Sequence, residues 1–308
     1  MRILSVGAGG VGGYFGARLA EKGEDVTFLV REKRKHLLEE KGLAVRSIHG
    51  DLTMEPKLIT KNSQALPFDV ILLSTKAYHL EQAIGDVRPF ICEHTVILPL
   101  LNGIAHIPVL QKAFGEDQVI GGLCFIETTV DKDGAIRQTS PTHRLMFGEL
   151  DGTKTERTTR LEEAFEDTKA SIVLSEKIEQ EMWHKYLFIT VASGITTLFR
   201  SPIGPVRESE NGREFTRGLF EETASIMREH GAKLADNIVD KHMETMDAMT
   251  YEMKSSLLRD MEKHDSVEGD HLQGYLLELA RKGNVDAPLL HAVYQNLKVY
   301  EVRRLQQG

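Results

Sequence analysis

The sequence predicts an α/β protein with a doubly wound parallel sheet in its N-terminal part and an all-α domain after it. Three observations carry that prediction: a length beyond one core, strand and helix patterns alternating from the start, and a loss of strand signals past residue 174. At 308 residues the chain exceeds what a single hydrophobic core usually serves. The expected domains are therefore 1–174 and 175–308.

Short apolar runs at 2–6, 25–30 and 69–73 read as strands, with helical patterns at 11–22 and 32–41 interleaved between them. That order is the mark of parallel βαβ units. Further strand-like runs stand at 95–98, 119–126, 145–147 and 171–174, and a charged helix is expected to end near Lys169. From Lys177 onward helical periodicity dominates. Gly194, Pro202, Gly204, Pro205, Gly231, Gly283 and Pro288 are expected to punctuate that region into several helices.

Hydrophobic residues make up 41% and charged residues 27%, an ordinary globular balance. No apolar run reaches the length of a membrane span, and residues 1–6 lead straight into a glycine loop with no room for a secretory signal, so a cytoplasmic protein is expected. A net charge of -8 speaks against nucleic acid as a partner, because phosphate neutralisation needs a clustered basic face. Cys92 and Cys124 form no CxxC pair and read as two core thiols. The acidic and histidine residues around His264, Glu268 and His271 show no metal-ligand spacing such as HExxH, so no metal is expected.

Gly7-Ala8-Gly9-Gly10-Val11-Gly12 matches GxGxxG directly after a strand and at the opening of a helix, which is the dinucleotide-binding context of a Rossmann-type sheet. Gly7 serves the tight turn, Gly9 lets the backbone approach a diphosphate, and Gly12 lets helix and strand pack closely. The free N–H groups and dipole of the helix start favour the phosphates. About 20 residues further on, an acidic residue would hold the ribose of NAD. Here the chain reads Val30-Arg31-Glu32-Lys33-Arg34. Arg31 can pair with a 2′-phosphate, assisted by Lys33 or Arg34, so NADP(H) is the expected cofactor. Glu32 would take the NAD role if the strand ended one residue later.

Beyond the loop and Arg31, the segments Leu73-Ser74-Thr75-Lys76, Leu101-Asn102-Gly103, Trp183-His184-Lys185, Ser255 to Asp260 and Val267-Glu268-Gly269-Asp270 follow in an order and spacing similar to the ketopantoate reductase (2-dehydropantoate 2-reductase) family. The resemblance runs nearly end to end. It implies a domain that holds NADPH, a helical domain that binds a small 2-oxo acid, and reduction of ketopantoate to pantoate in pantothenate biosynthesis. By resemblance Lys185 is the general acid, Glu268 orients the lysine or the substrate, and Ser256 binds the substrate carboxylate. Lys76 and Asn102 would line the nicotinamide end of the site, Asn102 also meeting substrate. A homodimer would be unsurprising for such an enzyme, although no residue pattern compels it.

The residues alone are compatible with quieter roles. Lys185 could snorkel to solvent, and Glu268 and Asp270 could simply complement a helix dipole after Ser266. Ser255 and Ser256 could cap a helix, and Asn102-Gly103 is an ordinary turn pair. Lys185 does lie in the apolar stretch 182–195, however, and an ammonium there needs a partner.

Departures from the family pattern bear on substrate. The family usually carries asparagines four and eight residues after the lysine, where this chain has Ile189 and Ser193; three residues before Ser256, where asparagine is also frequent, stands Met253. Lys185, Ile189 and Ser193 share a helix face, so substrate-directed amides are lost there and Ser193 or Thr190 would have to compensate. A less polar 2-oxo acid is therefore an alternative to ketopantoate. A dehydrogenase of a longer hydroxy acid and a non-catalytic NADPH-binding sensor are the remaining readings.

Overall fold

In the computed structural model, which describes residues 1–307, the chain opens with β1 (Arg2–Val6), α1 (Gly10–Lys22), β2 (Asp25–Leu29) and α2 (Glu32–Lys41). Then come β3 (Leu43–Ser47), β4 (Leu52–Met54), β5 (Lys57–Ile59), β6 (Val70–Leu73), α3 (Leu80–Val87), β7 (Val96–Pro99) and α4 (His106–Phe114). β8 (Gly121–Val130), β9 (Ile136–Gly148), α5 (Glu156–Phe165) and β10 (Ser171–Leu174) end the strand-bearing part. Helices α6 (Ile178–Phe199), α7 (Ile203–Glu208), α8 (Gly212–Glu229), α9 (Ile238–Ala248) and α10 (Ser256–Glu262) follow. A π-helical turn, Asp270–Gly274, runs into α11 (Tyr275–Gly283), and α12 (Pro288–Gln307) comes last. Two compact units result: residues 1–101 with 106–179, and residues 102–105 with those from 180 onward.

The first unit is built on a five-stranded sheet in the order β5-β2-β1-β6-β7 with every pairing parallel. All four residues of β6 are buried, as expected of a parallel strand covered on both faces. Strand order reverses at β1, with β2 on one side and β6 on the other. A switch point of this kind opens a crevice at the carboxyl ends of the strands, where ligands of such sheets bind. A second, mixed sheet has the order β10-β9-β3-β4, with β8 antiparallel to β9.

β3, β4 and β5 carry no strand signal in the sequence reading. Two of them are three residues long, too short to show period-2 alternation, and they are fixed by pairing, β5 with β2, β3 with β9 and β4 with β3, rather than by local preference. α5 ends at Phe165, earlier than expected near Lys169, and begins at a Thr155 capping box.

Gly194, expected to interrupt a helix, lies inside the unbroken α6. A Cβ there would stand 3.1 Å from Val293 and 3.4 Å from Leu219, so the glycine permits close approach of α8 and α12. That packing outweighs the propensity cost of about 1 kcal/mol for glycine in a helix interior. The helical segment expected to follow Ser266 opens at Glu268, whose carbonyl accepts from Leu272 N–H at 3.0 Å, and just before it Val267 N–H donates to Glu301 Oε1 at 2.8 Å. Of the two expected core thiols, Cys124 is buried and Cys92 is exposed. No helix among the described residues is long and apolar enough to cross a membrane.

Candidate active site

The dinucleotide loop lies at the switch point of the first unit. Gly7 follows β1 with φ +92, a left-handed conformation that favours glycine. A Cβ on Gly12 would fall 2.1 Å from Ser74 Oγ and 2.9 Å from the Gly7 carbonyl, so only hydrogen fits where α1 crosses the carboxyl ends of β1 and β6. Gly9, by contrast, has nothing within 4 Å of where its Cβ would be. α1 has no acidic residue in its first turn and no side-chain cap, leaving the N–H groups around Gly10, Val11 and Gly12 to an outside acceptor. These residues fit a diphosphate.

β2 ends at Leu29, so Arg31 is the N-cap of α2 and Glu32 lies in that helix's first turn rather than at the strand end. The Arg31 side chain is exposed and donates through Nη2 to Gln82 Oε1 at 3.1 Å. Its charge, after burial, contributes to lowering the pKa of His79. Gln82 and His79 are neighbours of Arg31 that spacing could not reveal. Arg34 points elsewhere: its Nη2 donates to the carbonyls of Ala8 at 3.0 Å and Gly134 at 2.9 Å. Lys76, half-buried, heads the short 3-10 turn Ala77–His79 after β6.

The second unit gathers Lys185, Asn102, His271 and Glu268. Lys185 projects from α6 and its Nζ donates to Asn102 Oδ1 at 3.1 Å. The Asn102 carbonyl lies 2.9 Å from His271 Nε2. A carbonyl can only accept, so Nε2 carries hydrogen there. Burial lowers the His271 pKa, while the charge of Glu268 and the bond to Asn102 oppose that shift. Glu268 itself is 6% exposed. The π turn sets these groups in place: Gly274 N–H reaches back five residues to the Gly269 carbonyl, and Tyr186 on α6 donates its hydroxyl to the Leu272 carbonyl at 2.5 Å. A half-buried ammonium, a carboxamide, an imidazole and a buried carboxylate are thus concentrated in one place. Nothing in the local sequence marks His271 for this place, because its contact with Asn102 spans 169 positions.

Ser193 and Ser256, both expected to meet substrate, lie in different surroundings. Ser193 is buried, its hydroxyl donating to the Ile189 carbonyl at 2.6 Å and accepting from Gln273 Nε2 at 2.9 Å. Its hydrogen-bonding capacity is spent inside the protein. Gln273 supplies an amide beside the position where the family carries asparagine. Ser256 is exposed at the first position of α10, and the cap is Ser255, whose Oγ accepts from Leu258 N–H at 3.1 Å and lies 2.7 Å from Thr196 Oγ1. Thr196 stands eleven residues after Lys185, three turns along the same helix face.

A parallel sheet with a glycine loop at its switch point, joined to a helical unit bearing a lysine, an asparagine and a carboxylate, defines a nicotinamide-nucleotide oxidoreductase. Residues 3–152 match the family described as Ketopantoate reductase PanE/ApbA, and residues 177–301 match Ketopantoate reductase PanE/ApbA C terminal. The chain belongs to the ketopantoate reductase family. It is 47% identical over 304 residues to the Uncharacterized oxidoreductase YkpB of Bacillus subtilis, covering 99% of this chain and 100% of the relative. The 2-dehydropantoate 2-reductase of Pyrococcus abyssi is 26% identical over 94% of each chain. Among solved structures, 2-dehydropantoate 2-reductase from Methylococcus capsulatus superposes with a TM-score of 0.89 at 28% identity, covering 99% of this chain and 98% of the other.

Proposed function

We propose that this chain catalyses the NADPH-dependent reduction of a small 2-oxo acid to the 2-hydroxy acid, with ketopantoate the leading substrate and pantothenate biosynthesis the corresponding role. The observation that carries this reading is the Lys185–Asn102 hydrogen bond, because it holds an ammonium in a fixed direction within a partly buried site. The likeness to 2-dehydropantoate 2-reductases along nearly the whole chain supports the substrate class.

Gly7, Ala8, Gly9, Gly10, Val11 and Gly12 would hold the diphosphate, Arg31 the 2′-phosphate, and Lys76 and Asn102 the nicotinamide end. A bound reduced nicotinamide nucleotide supplies a hydride to the substrate carbonyl. Negative charge then develops on the former carbonyl oxygen, and Lys185 Nζ stabilises it and donates a proton there. Asn102 Oδ1 keeps the ammonium aimed, and Glu268 provides the balancing negative charge. Ser256 would receive the substrate carboxylate at the start of α10.

Ile189 favours a second substrate. One turn beyond Lys185, it puts an apolar group where the family usually offers an amide, and the Ser193 hydroxyl is already engaged. A site with fewer amides turned to substrate discriminates more weakly in favour of a hydroxyl-bearing acid. NADPH oxidation measured with ketopantoate, its analogue lacking the hydroxyl, and larger 2-oxo acids separates these readings. Highest kcat/KM with ketopantoate supports the leading one, and turnover of the larger acids alone removes it.

A further inference from the structure

The Arg34 guanidinium is not used by the 2′-phosphate reading, because its Nη2 is committed to the carbonyls of Ala8 and Gly134. Ala8 belongs to the diphosphate loop and Gly134 to the turn between β8 and β9. In a trans peptide the carbonyl and the following N–H point in opposite directions, and this chain has no cis bond among the described residues. Holding the Ala8 carbonyl toward Arg34 therefore turns the Gly9 N–H away from it. Gly9, like Gly7, has nothing within 4 Å of where its Cβ would stand, so the loop is open to a ligand there.

The other end of the bridge is stiff. Asp131 accepts at Oδ1 from the N–H groups of Asp133 and Ala135, each at 3.0 Å, and its carbonyl accepts from Gly134 N–H. The same hairpin backs the start of α1, since a Cβ on Gly10 would stand 2.6 Å from Thr128 Oγ1 and one on Gly13 would stand 2.4 Å from Ile136. Arg34 is half-buried, and no carboxylate pairs with it among the described residues. Burial depresses its pKa, yet a guanidinium stays charged.

We propose that Arg34 is a positioning residue for the coenzyme diphosphate: it clamps the glycine loop to the β8–β9 hairpin through Ala8 and Gly134, and its charge is left for the diphosphate to balance. This rests on the dinucleotide reading above. It separates two cationic roles that adjoin in sequence, Arg31 selecting the 2′-phosphate and Arg34 serving NADPH and NADH alike.

The test compares Arg34→Gln and Arg34→Lys with the unaltered enzyme by titration with NADPH, NADH and 2′-AMP, which lacks a diphosphate. Arg34→Gln is expected to raise the Kd of both dinucleotides by the same factor of about 10, the equivalent of one lost charge-assisted bond, while 2′-AMP binding is unchanged. KM for NADPH should rise with kcat retained, and Arg34→Lys should recover part of the loss. Unchanged dinucleotide affinity, a loss confined to NADPH, or a parallel loss of 2′-AMP overturns the proposal. Should the glutamine variant not fold, Arg34→Lys is read by the same criteria. If the unaltered enzyme binds neither dinucleotide, the functional reading itself fails; if it binds both and the variants match it, only the role of Arg34 fails.

Discussion

Lys185 Nζ and Asn102 Oδ1 are 3.1 Å apart although 83 positions separate them in the chain. The lysine comes from a helix buried along much of its length, and the asparagine from the loop leaving β7, whose carbonyl also engages His271. One asparagine therefore fixes two groups of the site. Asn102→Ala removes the acceptor from the ammonium. A bond to a charged group contributes about 1.5–3 kcal/mol, so kcat/KM should fall by roughly 10- to 100-fold. Steady-state kinetics at saturating NADPH measures this, and a change below twofold would show the contact to be incidental.

Arg31 caps α2 and meets a neutral glutamine. Arg31→Ala should weaken NADPH binding by about 10- to 100-fold and leave NADH binding unaltered, because only the former carries the phosphate. Parallel fluorescence titrations decide it; equal loss of both would place Arg31 elsewhere than at the 2′-phosphate.

Ile189→Asn restores an amide one turn beyond Lys185. The ratio of kcat/KM for ketopantoate over its analogue lacking the hydroxyl should rise by about 10-fold, the worth of one added hydrogen bond in a polar pocket. A ratio that does not move would mean that this face of α6 does not meet substrate.

His242 provides a pH dependence of stability. Its Nε2 donates to the His184 carbonyl at 2.9 Å, and burial, partly opposed by that bond, lowers its pKa to about 4. The unfolded value is about 6.5, so between these values the unfolded chain binds a proton that the folded chain refuses. The contribution is thus fully present above the unfolded value and is lost as pH falls toward 4. Tm should drop over that interval, and His242→Gln should flatten the dependence; identical slopes for both proteins would assign the effect to other groups.

Local features were the legible ones. The glycine loop, Arg31 and the strands β1, β2, β6 and β7 announce themselves because their signals are local, an apolar run or a loop motif read within a few residues. β3, β4 and β5 did not, since pairing rather than propensity makes them strands. The substitution at residue 193 was visible in sequence, but its consequence was not: Gln273, 80 positions away, occupies the hydroxyl that was expected to serve substrate. Likewise Arg34 looked like a second phosphate ligand from its place beside Arg31, and only the fold shows it turned toward Ala8. Residues that meet across the chain are decided by packing, which spacing does not encode.

In the proposed reaction Lys185 protonates the reduced carbonyl while other residues hold the coenzyme. Turnover and NADPH affinity measured side by side for Lys185→Ala test it most directly. General acid catalysis contributes about 10²- to 10⁴-fold, so kcat should fall by that factor with the Kd for NADPH unchanged. Undiminished turnover in that variant would remove Lys185 from the proton transfer.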